Sequence, residues 1–237
     1  MTDPTGEVVG LAGLQGSGRT ELAQSIFGVT PFKTGTVELF GKPVAIGTPA
    51  AAIGLGLGLV TEDRKASGIL PNQPVRDNIL LTVRALQNAL TQIRRDGVGR
   101  APSLVPTLAE RVDVRVTSHD QEVQFLSGGN QQKVVLAKWL ETEPAAIIFD
   151  EPTRGIDVGA RFEIYQLMRR LTDSGVAILM ISSDLPEILG MSDRILVMHD
   201  GAIAGELSRA AATEESIIEL ATTGALASAH AEQGVPA

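Results

Sequence analysis

The chain has 237 residues, with 20 Lys and Arg against 28 Asp and Glu and a formal net charge of −8. That balance excludes a nucleic-acid partner, because a phosphate backbone demands a basic surface; the densest basic pairs, Arg94-Arg95 and Arg169-Arg170, read as solvated helix faces. The absence of cysteine removes disulfides and thiolate metal sites, and the longest nearly apolar run, residues 49–60, is shorter than the roughly 20 residues of a membrane span.

Met1-Thr2-Asp3-Pro4 shows no basic region leading into an apolar core, so no signal peptide is expected. Residues 7–12 read as a short buried strand that runs into Gly13-Leu14-Gln15-Gly16-Ser17-Gly18-Arg19-Thr20. This octet fits the phosphate-loop pattern G-x-x-x-x-G-K-[ST], except that Arg19 stands where lysine is expected. Glycines at 13, 16 and 18 let successive N–H groups turn toward an anion, and the helix beginning near Arg19 adds its positive end. Thr20 would place a hydroxyl on Mg²⁺. Leu22, Ala23, Ile26 and Phe27 recur at helical spacing, with Gly28 as the stop. The dinucleotide fingerprint G-x-G-x-x-G fails, because Gly16-Ser17-Gly18 is followed by Arg19-Thr20-Glu21.

Residues 37–40 predict a strand and Gly41-Lys42 a turn, and a second strand at 58–60 leads into Thr61-Glu62-Asp63-Arg64-Lys65. A helix is expected over 75–90, with Ile79, Leu80, Val83, Leu86 and Leu90 on one side. The Gly- and Pro-rich residues 96–106 read as a loop, and 106–112 as helical. Ser127-Gly128-Gly129 opens a helix over 130–140, which makes a second anion-binding helix start. One triphosphate does not need two such sites, so the spare one fits nucleotide held by a partner.

The apolar strand at 145–149 ends in Asp150-Glu151, where α/β sheets bind ligands. Asp150 would hold Mg²⁺ through water, while Glu151 orients or deprotonates an attacking water. A helix over 160–172 and a strand over 176–181 continue the alternation, which predicts βαβ units and a mostly parallel sheet. Residues 194–199 and 202–207, joined by Asp200-Gly201, predict a hairpin. A short helix follows, with Thr213 as N-cap and Ser216 at the third helical position. The tail, 225–237, is expected to be disordered.

Leu126-Ser127-Gly128-Gly129-Asn130-Gln131-Gln132-Lys133 and Asp150-Glu151-Pro152-Thr153-Arg154-Gly155-Ile156-Asp157 resemble the ABC transporter nucleotide-binding domain. The match is nearest the C-terminal ATP-binding half of bacterial monosaccharide importers of the ribose, galactose and xylose type, and covers about residues 7–224. The resemblance implies an α/β P-loop NTPase (RecA-like) core with a mostly parallel sheet, over about 1–64 and 127–224. An inserted α-helical subdomain would occupy about 65–126. It also implies ATP and Mg²⁺ as cofactors and head-to-tail pairing with a second ABC ATP-binding domain. A transmembrane sugar permease would tether the chain to the cytoplasmic face of the plasma membrane, and a periplasmic or extracellular binding protein would act indirectly.

Mapped onto this chain, the resemblance assigns phosphate binding to Gly13, Gly16, Ser17, Gly18, Arg19 and Thr20, and catalysis to Glu151. It gives the metal to Thr20 and Asp150. Ser127, Gly128, Gly129 and Asn130 form the signature loop acting in trans, and Glu62, Asp157 and Ser183 lie in coupling or sensing loops. Three departures stand out. Arg19 replaces the lysine, Ser183 stands where the family carries histidine, and Glu62 replaces glutamine and is expected to add negative charge near the phosphates. All three imply a weakened site of the chain's own. The family also carries two further strands, one with an adenine-stacking aromatic, ahead of the first strand here. A fragment of a two-domain protein or a displaced start is therefore expected. Two other readings stand beside the importer domain: a self-sufficient homodimeric ATPase, and an interaction module without hydrolysis.

Overall fold

The computed structural model describes residues 6–31, 34–82 and 101–224. Strand β1 (Val8–Gly13) buries Val8, Leu11 and Ala12 almost completely, as a strand covered on both faces must. It lies inside a six-stranded sheet between β6 (Ala177–Ile181) and β7 (Arg194–His199), parallel to both. On the other side of β6 come β5 (Ala146–Asp150) and then β4 (Leu57–Val60), again parallel. Beyond β7, the strand β8 (Ala202–Ser208) is antiparallel and closes the order β4-β5-β6-β1-β7-β8. A separate hairpin pairs β2 (Val37–Leu39) with β3 (Lys42–Val44).

The helices follow the expected alternation. Helix α1 (Arg19–Ile26) leaves the glycine loop, and α2 (Pro49–Gly54) is capped by the Thr48 hydroxyl, which accepts from Ala51 N at 3.2 Å. Helix α5 (Gly128–Leu140) runs through the interior, with both Lys133 and Lys138 buried and Phe27 edge-on to Trp139 at 5.6 Å between ring centroids. Helices α6 (Val158–Asp173) and α7 (Leu185–Met191) flank β6 in sequence. The last helix, α8 (Glu214–Thr223), carries the expected reciprocal cap between Thr213 and Ser216. Asp200 and Gly201 turn the β7–β8 hairpin with φ of 44° and 79°, the left-handed pair that a tight hairpin requires.

Two expectations need correction. Residues 101–106, read as loop, belong to helix α4 (Ala101–Arg111). Pro102 falls in the first turn, where its missing N–H costs nothing. Leu104, Val105, Leu108, Ala109 and Val112 form one apolar stripe packed on the core, which outweighs the break signal of Pro106. The helix expected over 75–90 is shorter where it is described: α3 (Val75–Ile79) gives way to a turn at Leu80 before helical residues 81 and 82. Residues 83–100, with the expected Val83, Leu86 and Leu90 face, and the tail 225–237 lie outside the described residues. Among the described residues no helix is long and apolar enough to cross a membrane.

Candidate functional site

The carboxyl ends of three adjacent parallel strands converge, with Asp150 of β5 opposite Ile181 of β6, and Ile181 opposite Leu11 of β1. The glycine loop leaves β1 here. Gly16 and Gly18 take φ of 81° and 97°, backbone that any Cβ would strain. The turn of the β7–β8 hairpin braces the loop from behind, where Gly201 N donates to Ser17 O at 3.0 Å. The result is a cavity of about 590 Å³ lined by Gly16 through Thr20, Glu62, Glu151, Arg154 and Ser183.

Two buried oxygens at this end of the sheet have no hydrogen-bond partner: Ser17 Oγ and Asp150 Oδ1. Such groups cost about 1–3 kcal/mol when left unmet, so a ligand at this point satisfies them. Burial pushes the Asp150 carboxyl up, while the neighbouring Thr20 hydroxyl and the Arg19 charge pull it back. An oxygen set of one hydroxyl and one carboxylate suits Mg²⁺, which keeps several waters and takes the rest of its shell from phosphate.

Arg19 itself lines the cavity. It is 8% exposed, and its Nη1 donates to Ser182 O at 2.7 Å. Glu151 has φ of 51° and anchors its own N–H on Ile181 O at 2.9 Å. Burial pushes the Glu151 carboxyl up, while the Ser183 hydroxyl, donating to Oε2 at 3.1 Å, and the Arg19 charge oppose the rise. A carboxylate held between these influences can take a proton from water. Glu62 lines the same cavity, where its carboxylate pairs with the Arg154 guanidinium.

Ser127, Gly128, Gly129 and Asn130 lie apart from that cavity. Ser127 caps helix α5, accepting from Asn130 N at 3.4 Å and Asn130 Nδ2 at 3.1 Å. The helix therefore starts at Gly128, two residues earlier than expected. A Cβ on Gly129 would stand 2.5 Å from Ala160 Cβ, so the turn packs tightly on the first turn of α6. Asp157 also stays outside the cavity, where it caps α6 by accepting from Ala160 N at 3.0 Å.

Several residues that shape the site were not singled out from sequence. Arg154 is one; it sits inside the quoted Asp150–Asp157 stretch, but its partner Glu62 is remote in sequence. Glu187 is another. Its carboxylate is 4% exposed and accepts from Thr153 Oγ1 at 2.9 Å and Ser182 Oγ at 2.5 Å. This joins the segment after Glu151 to the segment after β6. Burial, with the Glu187 charge beside it, pushes the Tyr165 hydroxyl up to about 12.

Residues 1–154 match the ABC transporter family. The ribose import ATP-binding protein RbsA of Lactococcus lactis subsp. cremoris (strain SK11) is 50% identical over 222 residues, covering 93% of this chain and 44% of that protein. The protein of the same name from Bacillus subtilis (strain 168) is 48% identical over 223 residues, covering 93% of this chain and 44% of its own. The chain thus spans less than half the length of these curated relatives. Among solved structures, a nucleotide-free ATP-binding cassette from an ABC transporter superposes with a TM-score of 0.73 at 23% identity, over 85% of this chain and 80% of that one. The ADP conformation of the ATP-binding cassette MJ1267 gives 0.72 at 24% identity, over 92% and 85%. These two likenesses establish the α/β fold of P-loop NTPases for the chain.

Proposed function

The chain belongs to the ABC transporter family, and from that premise we propose that it is the ATP-binding domain of a sugar importer. In this reading it holds ATP with Mg²⁺ on its own glycine loop and lends its signature turn to a second domain. The observation that carries the reading is the division of the residues. Gly16 to Thr20, Glu62, Glu151 and Ser183 share one cavity, whereas the exposed Ser127 and the two glycines after it are not among the residues that line it.

Each residue then has a defined task. Backbone N–H groups of residues 16–20 and the start of α1 bind phosphate oxygens. Thr20 and Asp150 hold Mg²⁺, which when bound neutralises charge on the terminal phosphates. Glu151 orients water, and Ser183 keeps that carboxylate in place through its hydroxyl. Because Arg19 is committed to Ser182 O, the terminal phosphate lacks a compact cation from the loop, and we read turnover at this site as weak. Ser127, Gly128 and Gly129 form the other half of a partner's site. The names of the relatives support a sugar such as ribose as cargo; in this reading a permease supplies the membrane span, the chain attaches to it at the cytoplasmic face, and a binding protein acts beyond it.

Calorimetric titration of the chain with ATP tests the nucleotide reading. Binding is expected in Mg²⁺, weaker after chelation, and Thr20→Ala is expected to lose most of the Mg²⁺ dependence. No heat of binding under either condition would reject it and leave the interaction-module reading standing.

A further inference from the structure

Arg64 opens a π-helical turn, Arg64–Gly68, directly after the charged run that lines the cavity. Asp63 fixes the turn, its Oδ1 accepting from Lys65 N and Ala66 N, each at 3.0 Å. The half-buried Arg64 guanidinium then bridges two chain segments. Nη1 donates to Arg154 O at 2.9 Å, Nη2 to Gly155 O at 3.3 Å, and Nε to Gln131 Oε1 at 3.3 Å.

The first two acceptors belong to the loop that lines the phosphate cavity, and the side chain of Arg154 pairs back to Glu62. Gln131 lies in the first turn of α5 and also donates to Val123 O at 3.3 Å and Leu126 O at 3.2 Å. It therefore holds the stretch that leads into Ser127. The fit is close: a Cβ on Gly128 would meet Arg64 Nη2 at 2.7 Å and Gly155 O at 3.0 Å. The far end of the same turn is tied to the same helix, because Lys138 Nζ donates to Gly68 O at 2.8 Å. One five-residue turn thus grips α5 at two points and the cavity loop at two more.

We propose that Arg64 is a positioning residue that couples the chain's own phosphate cavity to the placement of its Ser127-Gly128-Gly129 turn. When Glu62, Arg154 and Gly155 shift around nucleotide, the fork carries that shift to Gln131 and the start of α5. A planar guanidinium suits the task because it donates in three fixed directions at once, which an ammonium cannot. The inference rests on the reading that the signature turn completes a partner's site.

The test uses the paired ATPase assembly containing this chain, with steady-state ATP turnover, KM for ATP and thermal unfolding measured for Arg64→Ala, Arg64→Lys, Gln131→Ala and the Arg64→Ala/Gln131→Ala double variant. The expected result is a kcat lowered by about tenfold with KM nearly unchanged in Arg64→Ala. Arg64→Lys should fail to restore it although the charge is kept. Gln131→Ala should lower kcat in the same direction, and the double variant should be no worse than Arg64→Ala, since both break one path. Full turnover in Arg64→Lys, or additive losses in the double variant, would overturn the proposal. If Arg64→Ala does not fold, Arg64→Lys and Gln131→Ala alone decide: wild-type kcat in both overturns the proposal. Ser127→Arg separates the two claims. Turnover that survives Ser127→Arg sinks the trans reading, whereas loss there with wild-type kinetics in the Arg64 variants sinks only the coupling.

Discussion

Glu151 occupies backbone that only glycine adopts freely, with φ of 51°, a conformation that costs about 1–3 kcal/mol for other residues and gathers at functional sites. The surrounding bonds hold it there: its N–H on Ile181 O, its carboxylate on Ser183. The same two strand ends place Asp150 and the Ser182 O that accepts from Arg19, so the geometry of the site depends on how β5 and β6 stop. Replacing Glu151 by Gln keeps the shape and the Ser183 contact but removes the base. The isolated chain should then still bind ATP while its residual turnover falls by about 10²-fold or more, the usual value of a positioned base. Turnover equal to wild type in a coupled phosphate-release assay would show that Glu151 is not the base here.

Helix α5 shows how one element serves both stability and placement. Lys138 is 6% exposed, and burial alone pushes its ammonium from the ordinary 10.5 down to about 8. The unfolded chain therefore binds a proton that the folded chain has released between about pH 8 and 10.5, so the folded state gains relative stability as pH rises through that window. Urea denaturation at about pH 7 and pH 9.5 should show wild type gaining on Lys138→Met at the higher pH; a gap that stays constant would contradict the assigned cause. The strands were legible because Val8 to Ala12 and Ile147 to Phe149 are nearly unbroken apolar runs. The first half of helix α4 was not, because proline and glycine signals are local, while the stripe from Leu104 to Val112 is decided by what it packs on. The start of α5 was misplaced by two residues for a related reason. Its first glycine is dictated by the Arg64 fork lying against it, a contact between segments distant in sequence.

At the scale of the whole molecule, the two glycine-rich turns do not line a common cavity. The phosphate loop, Glu151 and Ser183 line one cavity, while the exposed Ser127 caps helix α5 and is not among the lining residues. The two glycine-rich turns themselves were legible from their motifs. Their separation, the diversion of Arg19 to Ser182 and the pairing of Glu62 with Arg154 were not, because each depends on which strand ends lie side by side. Under the proposed function, Arg19 belongs to a weak site of the chain's own and Ser127 to a site offered to a partner. Steady-state ATP turnover of the paired assembly carrying Ser127→Arg in this chain tests that division most directly. We expect kcat to fall by at least about tenfold, since an arginine at the helix start fills the space meant for a partner's phosphate. Turnover indistinguishable from wild type would contradict the account.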